Sequence, residues 1–171
     1  KISSPSSPFS FFKSTLNLEF GNKKVKSSSK LFYKSAKNEF PYTFKNQKYK
    51  QSNASLLQYG FLQELYAFIS PNQYLAARVW FQKSERQIPP TILVNKNDEK
   101  QHDNSLKTML EWNKKTSQGK FNMTAAYIND FLEYQNVPAD INSQSRVESF
   151  QLNTKLYRTL NPKLLVEYGY R

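Results

Sequence analysis

SLLQYGFLQELYAFISPNQYLAARVWFQKS, residues 55–84, consists of two long runs of alternating character joined at the corner Ser70-Pro71-Asn72-Gln73. In the first run Leu57, Tyr59, Phe61, Leu65, Ala67 and Ile69 share one parity, and Leu56, Gln58, Gly60, Leu62, Glu64, Tyr66 and Phe68 share the other. In the second, Leu75, Ala77, Val79 and Phe81 stand against Tyr74, Ala76, Arg78, Trp80 and Gln82. A period of two sends successive side chains to opposite faces of a strand. The stretch therefore predicts a hairpin of unusually long strands, with one apolar and one mixed polar face. Which medium meets the apolar face, a protein core or lipid, decides the fold class.

Outward from this hairpin the same alternation recurs. Phe12, Leu16, Leu18 and Phe20 oppose Phe11, Lys13, Thr15, Asn17 and Glu19 in a strand over 9–20. A Gly21-Asn22-Lys23-Lys24 turn leads back through 25–36, where Val25, Leu31 and Tyr33 oppose Lys26, Lys30 and Lys34 and serines weaken the apolar face. Later strands are expected over 105–113, 121–134, 149–160 and 164–171, with Phe121, Met123, Ala125, Tyr127 and Phe131 against Asn122, Thr124, Ala126, Ile128 and Asp130. The connections read short, long, short, long, short, long, short. The long ones cover about 37–54, where Pro41 interrupts any strand, 85–104 and 135–146. Three-residue loops at Pro71-Asn72-Gln73 and Asn161-Pro162-Lys163 keep the apolar faces on one side.

Residues 1–8 form a turn-prone lead-in, and the chain opens at Lys1 without Met and stops at Arg171 inside a strand-like alternation. The expectation is an excised or processed piece. With no cysteine, neither a disulfide framework nor a thiolate metal site is available. No run of about 18 apolar residues exists, which excludes a transmembrane helix but leaves a membrane barrel open. The net charge of +12 is concentrated early in the chain. It invites a nucleic-acid reading, which is set aside because no recognised nucleic-acid-binding motif accompanies the scattered lysines.

The prediction is an all-β, antiparallel up-and-down transmembrane β-barrel segment of about eight strands, with 1–171 forming part of one barrel domain. Turns short at one end and long at the other suit that plan, as do aromatics gathered near strand ends, among them Phe68, Tyr74, Trp80, Phe81, Trp112 and Phe121. Two alternatives stay open. One is a complete small eight-stranded outer-membrane barrel of structural or adhesive role; the other is a soluble lipocalin-like carrier with the faces exchanged. Gln63, Lys83, Asn129 and Arg158 are the polar exceptions on the apolar face, while Glu64, Arg78, Lys107 and Asp130 are expected to face a hydrated lumen.

Three stretches carry a resemblance. Asn38-Glu39-Phe40-Pro41-Tyr42 is similar to an N-x-F-P-Y loop; residues 75–90, LAARVWFQKSERQIPP, to a strand bearing W-x-x-x-S-x-R followed by I-P-P; and residues 121–134, FNMTAAYINDFLEY, to a later strand. Together they resemble the barrel of TonB-dependent outer-membrane receptors of the cobalamin/siderophore type. The resemblance implies a parent barrel of about 22 strands, with the plug domain and remaining strands absent from this chain. It also implies a bacterial outer-membrane location, contact with membrane lipid and lipopolysaccharide, coupling to the TonB complex through the missing plug, and uptake of a metal complex or cofactor-like small molecule.

For chemistry the sequence offers little. His102 is the single histidine, so no histidine triad can be built. Asp98, Glu99 and Asp103 do not have EF-hand spacing. Glu64, Glu111 and Asp130 sit on alternating strands and read as lumen charges rather than catalytic carboxylates. No enzyme, cofactor or resident metal is expected. Ligand contact is assigned to external loops, at Phe40, Tyr42, Tyr49 and Arg86, where a basic first loop favours an anionic ligand or lipopolysaccharide phosphates.

Overall fold

The computed structural model describes residues 10–90, 98–161 and 164–170. The turn-prone lead-in, the middle of the second long connection, Pro162-Lys163 and Arg171 lie outside the described residues. Ten strands form: β1 (Phe11–Gly21), β2 (Val25–Ala36), β3 (Pro41–Phe44), β4 (Gln47–Lys50), β5 (Leu56–Ser70), β6 (Gln73–Ile88), β7 (Glu99–Thr116), β8 (Gly119–Asn136), β9 (Ile141–Asn161) and β10 (Leu164–Tyr170). Eight of them make one antiparallel sheet in the order β1-β2-β5-β6-β7-β8-β9-β10, and β3 and β4 pair separately. This is the expected up-and-down order. The sheet is open: β1 and β10 each have one strand neighbour.

The register places the two parities as expected. One row runs Leu16–Leu31–Phe61–Phe81–Leu106 across five strands, and the next but one runs Phe20–Ser27–Leu65–Ala77–Leu110–Ala125–Leu152. Charged residues collect on the opposite side, in rows such as Glu19–Ser28–Glu64–Arg78. Among the described residues nothing covers either face. Among the described hydrophobic residues only Ala36 and Ala76 are buried, and Phe20, Leu65, Leu110 and Phe150 are all exposed. The chain exposes 12854 Å², whereas a compact monomer of 20.1 kDa would expose roughly 8,700 Å². It is a single layer without a core.

The turns are closed by local polar chemistry. Asn22 Oδ1 accepts from the Lys24 and Val25 amides at 2.8 and 2.9 Å, as a Gly-Asn turn requires. At the central corner the turn is two residues, Pro71-Asn72, not three. A register shift at Ile69 supplies the extra residue that keeps Leu75 opposite Ala67 on the apolar face.

Three expectations about connections are corrected. The first contains a hairpin, β3–β4, whose turn residues Lys45 and Asn46 both have positive φ (48° and 62°). That is the signature of a tight hairpin turn matched to strand twist. Pro41 does not interrupt it because it occupies the first strand position, where no ladder donor is needed. The second connection is strand at both ends, since β6 continues to Ile88 and β7 starts at Glu99. The third is mostly strand. β8 runs to Asn136, and a one-turn 3-10 helix at Val137–Ala139, capped by Asn136 and closed by left-handed Asp140, leads straight into β9. Both faces are polar at these levels, so alternation disappears although backbone pairing continues.

Candidate functional site

Arg78 is the centre of the polar face. It lies midway along β6, where the register sets Glu64 of β5 on one side, and its neighbour row brings Glu111 of β7 within reach. Its Nε donates to Glu64 Oε1 at 3.2 Å, one terminal nitrogen to Glu111 Oε2 at 2.9 Å and the other to the Tyr66 hydroxyl at 2.8 Å. Glu111 Oε1 accepts from the Tyr74 hydroxyl at 2.8 Å and from Asn122 Nδ2 at 3.1 Å. The network crosses four strands. A guanidinium fork and two carboxylates with these bonds satisfy one another, so the cluster braces the sheet and leaves no carboxylate free for acid–base work.

Tyr66, Phe68 and Tyr74 pack on one another at centroid separations of 6.2–6.4 Å, and the Arg78 guanidinium lies 5.3 Å from the Tyr66 ring. Next to this cluster Lys107 pairs with Asp130 at 3.6 Å, and Asp130 also accepts from Ser105 Oγ. The structure thus puts Glu64, Arg78, Lys107 and Asp130 on one polar face and joins them as two pairs. Tyr66, Tyr74 and Asn122 were missed as members of the Arg78 network. Their parity placed them on the correct face, but only register shows that they meet.

The loop candidates divide. Tyr42 of β3 and Tyr49 of β4 are cross-strand partners and stack at 5.5 Å. The Phe40 carbonyl accepts from the Gln51 amide at 2.8 Å, extending the hairpin by one step. At its base Lys50 Nζ meets Glu39 Oε2 at 2.8 Å; that hydrogen bond, with the lysine's charge, holds the Glu39 carboxyl below the usual carboxylate range. Arg86 is different. It lies in the sheet, opposite Leu56 and Gln101, and pairs with Asp103 at 3.8 Å. The hairpin therefore offers an aromatic platform with Lys45 and Lys48 nearby, while Arg86 belongs to the eight-stranded sheet.

Asn53, which sequence reasoning passed over, anchors this end of the sheet. It adopts φ 50° and donates to the Ile88 carbonyl at 2.9 Å and the Glu99 carbonyl at 3.1 Å, so it gathers both ends of the β6–β7 connection. Asn38 does the same for the hairpin, donating to the Ala54 carbonyl at 2.9 Å.

Two polar residues on the apolar face are also accounted for. Gln63 donates to Ser27 Oγ at 2.9 Å and accepts from Ser29 Oγ, which gives the β2 serines a purpose. Asn129 donates to the Tyr127 hydroxyl at 3.0 Å. Of the chemistry-bearing acids, Asp98 pairs with Lys100 at 3.3 Å and Glu99 accepts from Asn136 at 3.1 Å. No family model and no curated protein sequence matches the chain.

Proposed function

We propose that the chain is part of the wall of a large outer-membrane β-barrel, an active-transport receptor that takes up an anionic metal complex or cofactor-like molecule with TonB coupling. The carrying observation is the single-layer open sheet, with one uncovered apolar face and a charged polar face whose central residues are paired. Two edge strands and two uncovered faces are what a wall needs: neighbouring strands at the edges, lipid outside, and a hydrated interior. An open sheet with no core favours this reading over a closed lipocalin-like carrier.

The distribution of aromatics supports it. On the apolar face Tyr33, Tyr59 and Phe131 form one row, and Trp112, Phe121 and Tyr168 gather near the other end. On β8 these rows are marked by Phe121 and Phe131, separated by about 33 Å of strand. At the tilt of barrel strands that gives a height of about 25 Å, the apolar band of an outer-membrane barrel. Beyond it the same face turns polar at Glu85, His102, Glu133 and Gln144, where the strands would rise out of lipid. The specific transport role rests on the three resembling stretches and on the basic aromatic hairpin.

The two tryptophans test the orientation, because Trp112 lies on the apolar face and Trp80 on the polar one. In vesicles, Trp80→Phe and Trp112→Phe variants each leave one indole. Brominated lipid is expected to quench Trp112 and spare Trp80, and aqueous iodide to do the reverse. Equal quenching of both by brominated lipid would sink the wall reading.

A further inference from the structure

The polar face is neutralised unevenly. Across β5 to β10 most of its cations are matched: Arg78 by Glu64 and Glu111, Arg86 by Asp103, Lys107 by Asp130, and Lys155 by Glu167, while Lys115 and Lys120, cross-strand partners beside the β7–β8 turn, have no ion pair among the described residues. On β1 and β2 the same face carries Lys13, Lys26, Lys30 and Lys34, none with an ion pair among the described residues. Lys13 and Lys34 are direct cross-strand partners. Like charges in that position destabilise a sheet pair. Lys34 and Lys26 lie 5.8 and 5.6 Å from the Phe11 and Phe68 rings, contacts that hold the ammonium groups without neutralising them. At the turn end the strip opens into a trough of about 980 Å³ lined by Lys23, Lys26, Ser28 and Phe68 together with the carboxylates of Glu19 and Glu64, the latter bound by Arg78.

We propose that this lysine strip seats an acidic polypeptide segment lying along β2. Lys26, Lys30 and Lys34 recur every fourth residue, so successive charges lie about 13 Å apart and the strip spans about 27 Å. One compact small anion cannot reach along it; an extended chain of about eight residues can. Between the lysines stand Thr15, Asn17 and Ser28, which both donate and accept hydrogen bonds, and one carboxylate, Glu19, opposite Ser28, which leaves the strip at four positive charges to one negative. A peptide backbone has both kinds of partner, whereas a phosphate chain only accepts. The strip would draw such a segment by complementary charge, independently of whether the opposite face meets lipid.

The test uses the full chain in a neutral maltoside detergent and a fluorescent peptide of about eight glutamates. The Lys13→Gln, Lys26→Gln, Lys30→Gln, Lys34→Gln variant is expected to bind about tenfold more weakly, from exposed pairs of modest individual strength. A control removing equal charge elsewhere, at Lys83, Lys114, Lys115 and Lys120, is expected to change binding less than about twofold. Equal loss in both variants would overturn the proposal, because net charge alone would then explain it. So would tighter binding of inorganic polyphosphate of matched charge, which would make the strip a phosphate surface. If the fourfold variant loses its β-sheet circular dichroism, the exposed Lys30→Gln decides instead, with a loss of about twofold expected and no loss overturning the proposal. Failure of the indole-quenching test would leave this result standing.

Discussion

Replacing Arg78 by methionine should expose how much of the sheet's rigidity depends on one guanidinium. The substitution preserves much of the apolar stem and removes three hydrogen bonds, of 3.2, 2.9 and 2.8 Å, to Glu64, Glu111 and Tyr66. Side-chain exposures of 23% for Arg78, 30% for Glu64 and 15% for Glu111 place the pairs between surface bridges and fully buried ones. Surface pairs contribute up to about 1 kcal/mol, and breaking a buried pair costs about 3–5 kcal/mol. An intermediate loss of about 2–3 kcal/mol follows. Glu64 and Glu111, on either side of β6 and two residues apart along it, roughly 12 Å at the backbone, would then lose the cation between them and repel by between about 0.3 and 1.4 kcal/mol depending on screening. Denaturant unfolding in detergent or lipid, monitored by circular dichroism, measures the total. A double-mutant cycle with Glu111→Gln isolates the pair, where a coupling of about 1–2 kcal/mol is expected. Tyr66→Phe should cost only about 1 kcal/mol, the worth of one hydrogen bond. A loss below about 0.5 kcal/mol for the methionine variant, with no coupling to Glu111, would refute the bracing role.

Ala125 and Thr124 are sequence neighbours on opposite faces of β8. In vesicles Ala125→Arg should cost about 2–4 kcal/mol of folding stability and Thr124→Arg, beside Glu111, about 0–1 kcal/mol; equal costs would mean that the apolar face does not meet lipid. Gly60 leaves room for its neighbours: a Cβ there would strike the Phe81 carbonyl oxygen and approach Phe32 Cζ to 2.8 Å. Gly60→Val should therefore destabilise the sheet by about 1–3 kcal/mol in the same unfolding assay, and an unchanged midpoint would contradict the packing. At the hairpin base, Glu39 is held below its ordinary value of 4.5 by Lys50, so its contribution is present at higher pH and lost as pH falls through the depressed value. The nuclear magnetic resonance shift of the Gln51 amide, which donates to the Phe40 carbonyl, should follow that loss, and Glu39→Gln should abolish the response.

The central sheet was legible because its signal is local. Leu57 through Ile69 alternate, and the partner strand alternates in step, so parity assigned the faces before any pairing was known. The upper ends of β6 to β9 were not legible. Around Glu85, Lys100, Gln135 and Ser143 the side chains are polar on both faces, and a strand polar on both sides carries no period of two. The β3–β4 hairpin was hidden for another reason: its turn uses Lys45-Asn46 rather than glycine. For the polar face, composition identified the charges, but the Arg78 network depends on which residues face one another across strands, and register is not written in any single segment. Tyr42 and Tyr49 illustrate the converse, since both were picked as loop aromatics and only their pairing makes them a platform.

The register rows set a slope that no single strand displays. One row passes through Val25, Ala67, Leu75, Trp112, Met123 and Thr154. On β2 that row meets the strand's first residue, while β9 continues from Thr154 to Asn161 before ending. The short turns therefore retreat from the row by about one residue for each strand crossed. One rise of about 3.3 Å against one strand spacing of about 4.8 Å is a slant of about 35°. For all four short turns to lie in one plane, every strand must lean by that angle, in the same sense. The pairing pattern of the sheet thus contains the stagger at which any strand added to its β1 or β10 edge would have to pair.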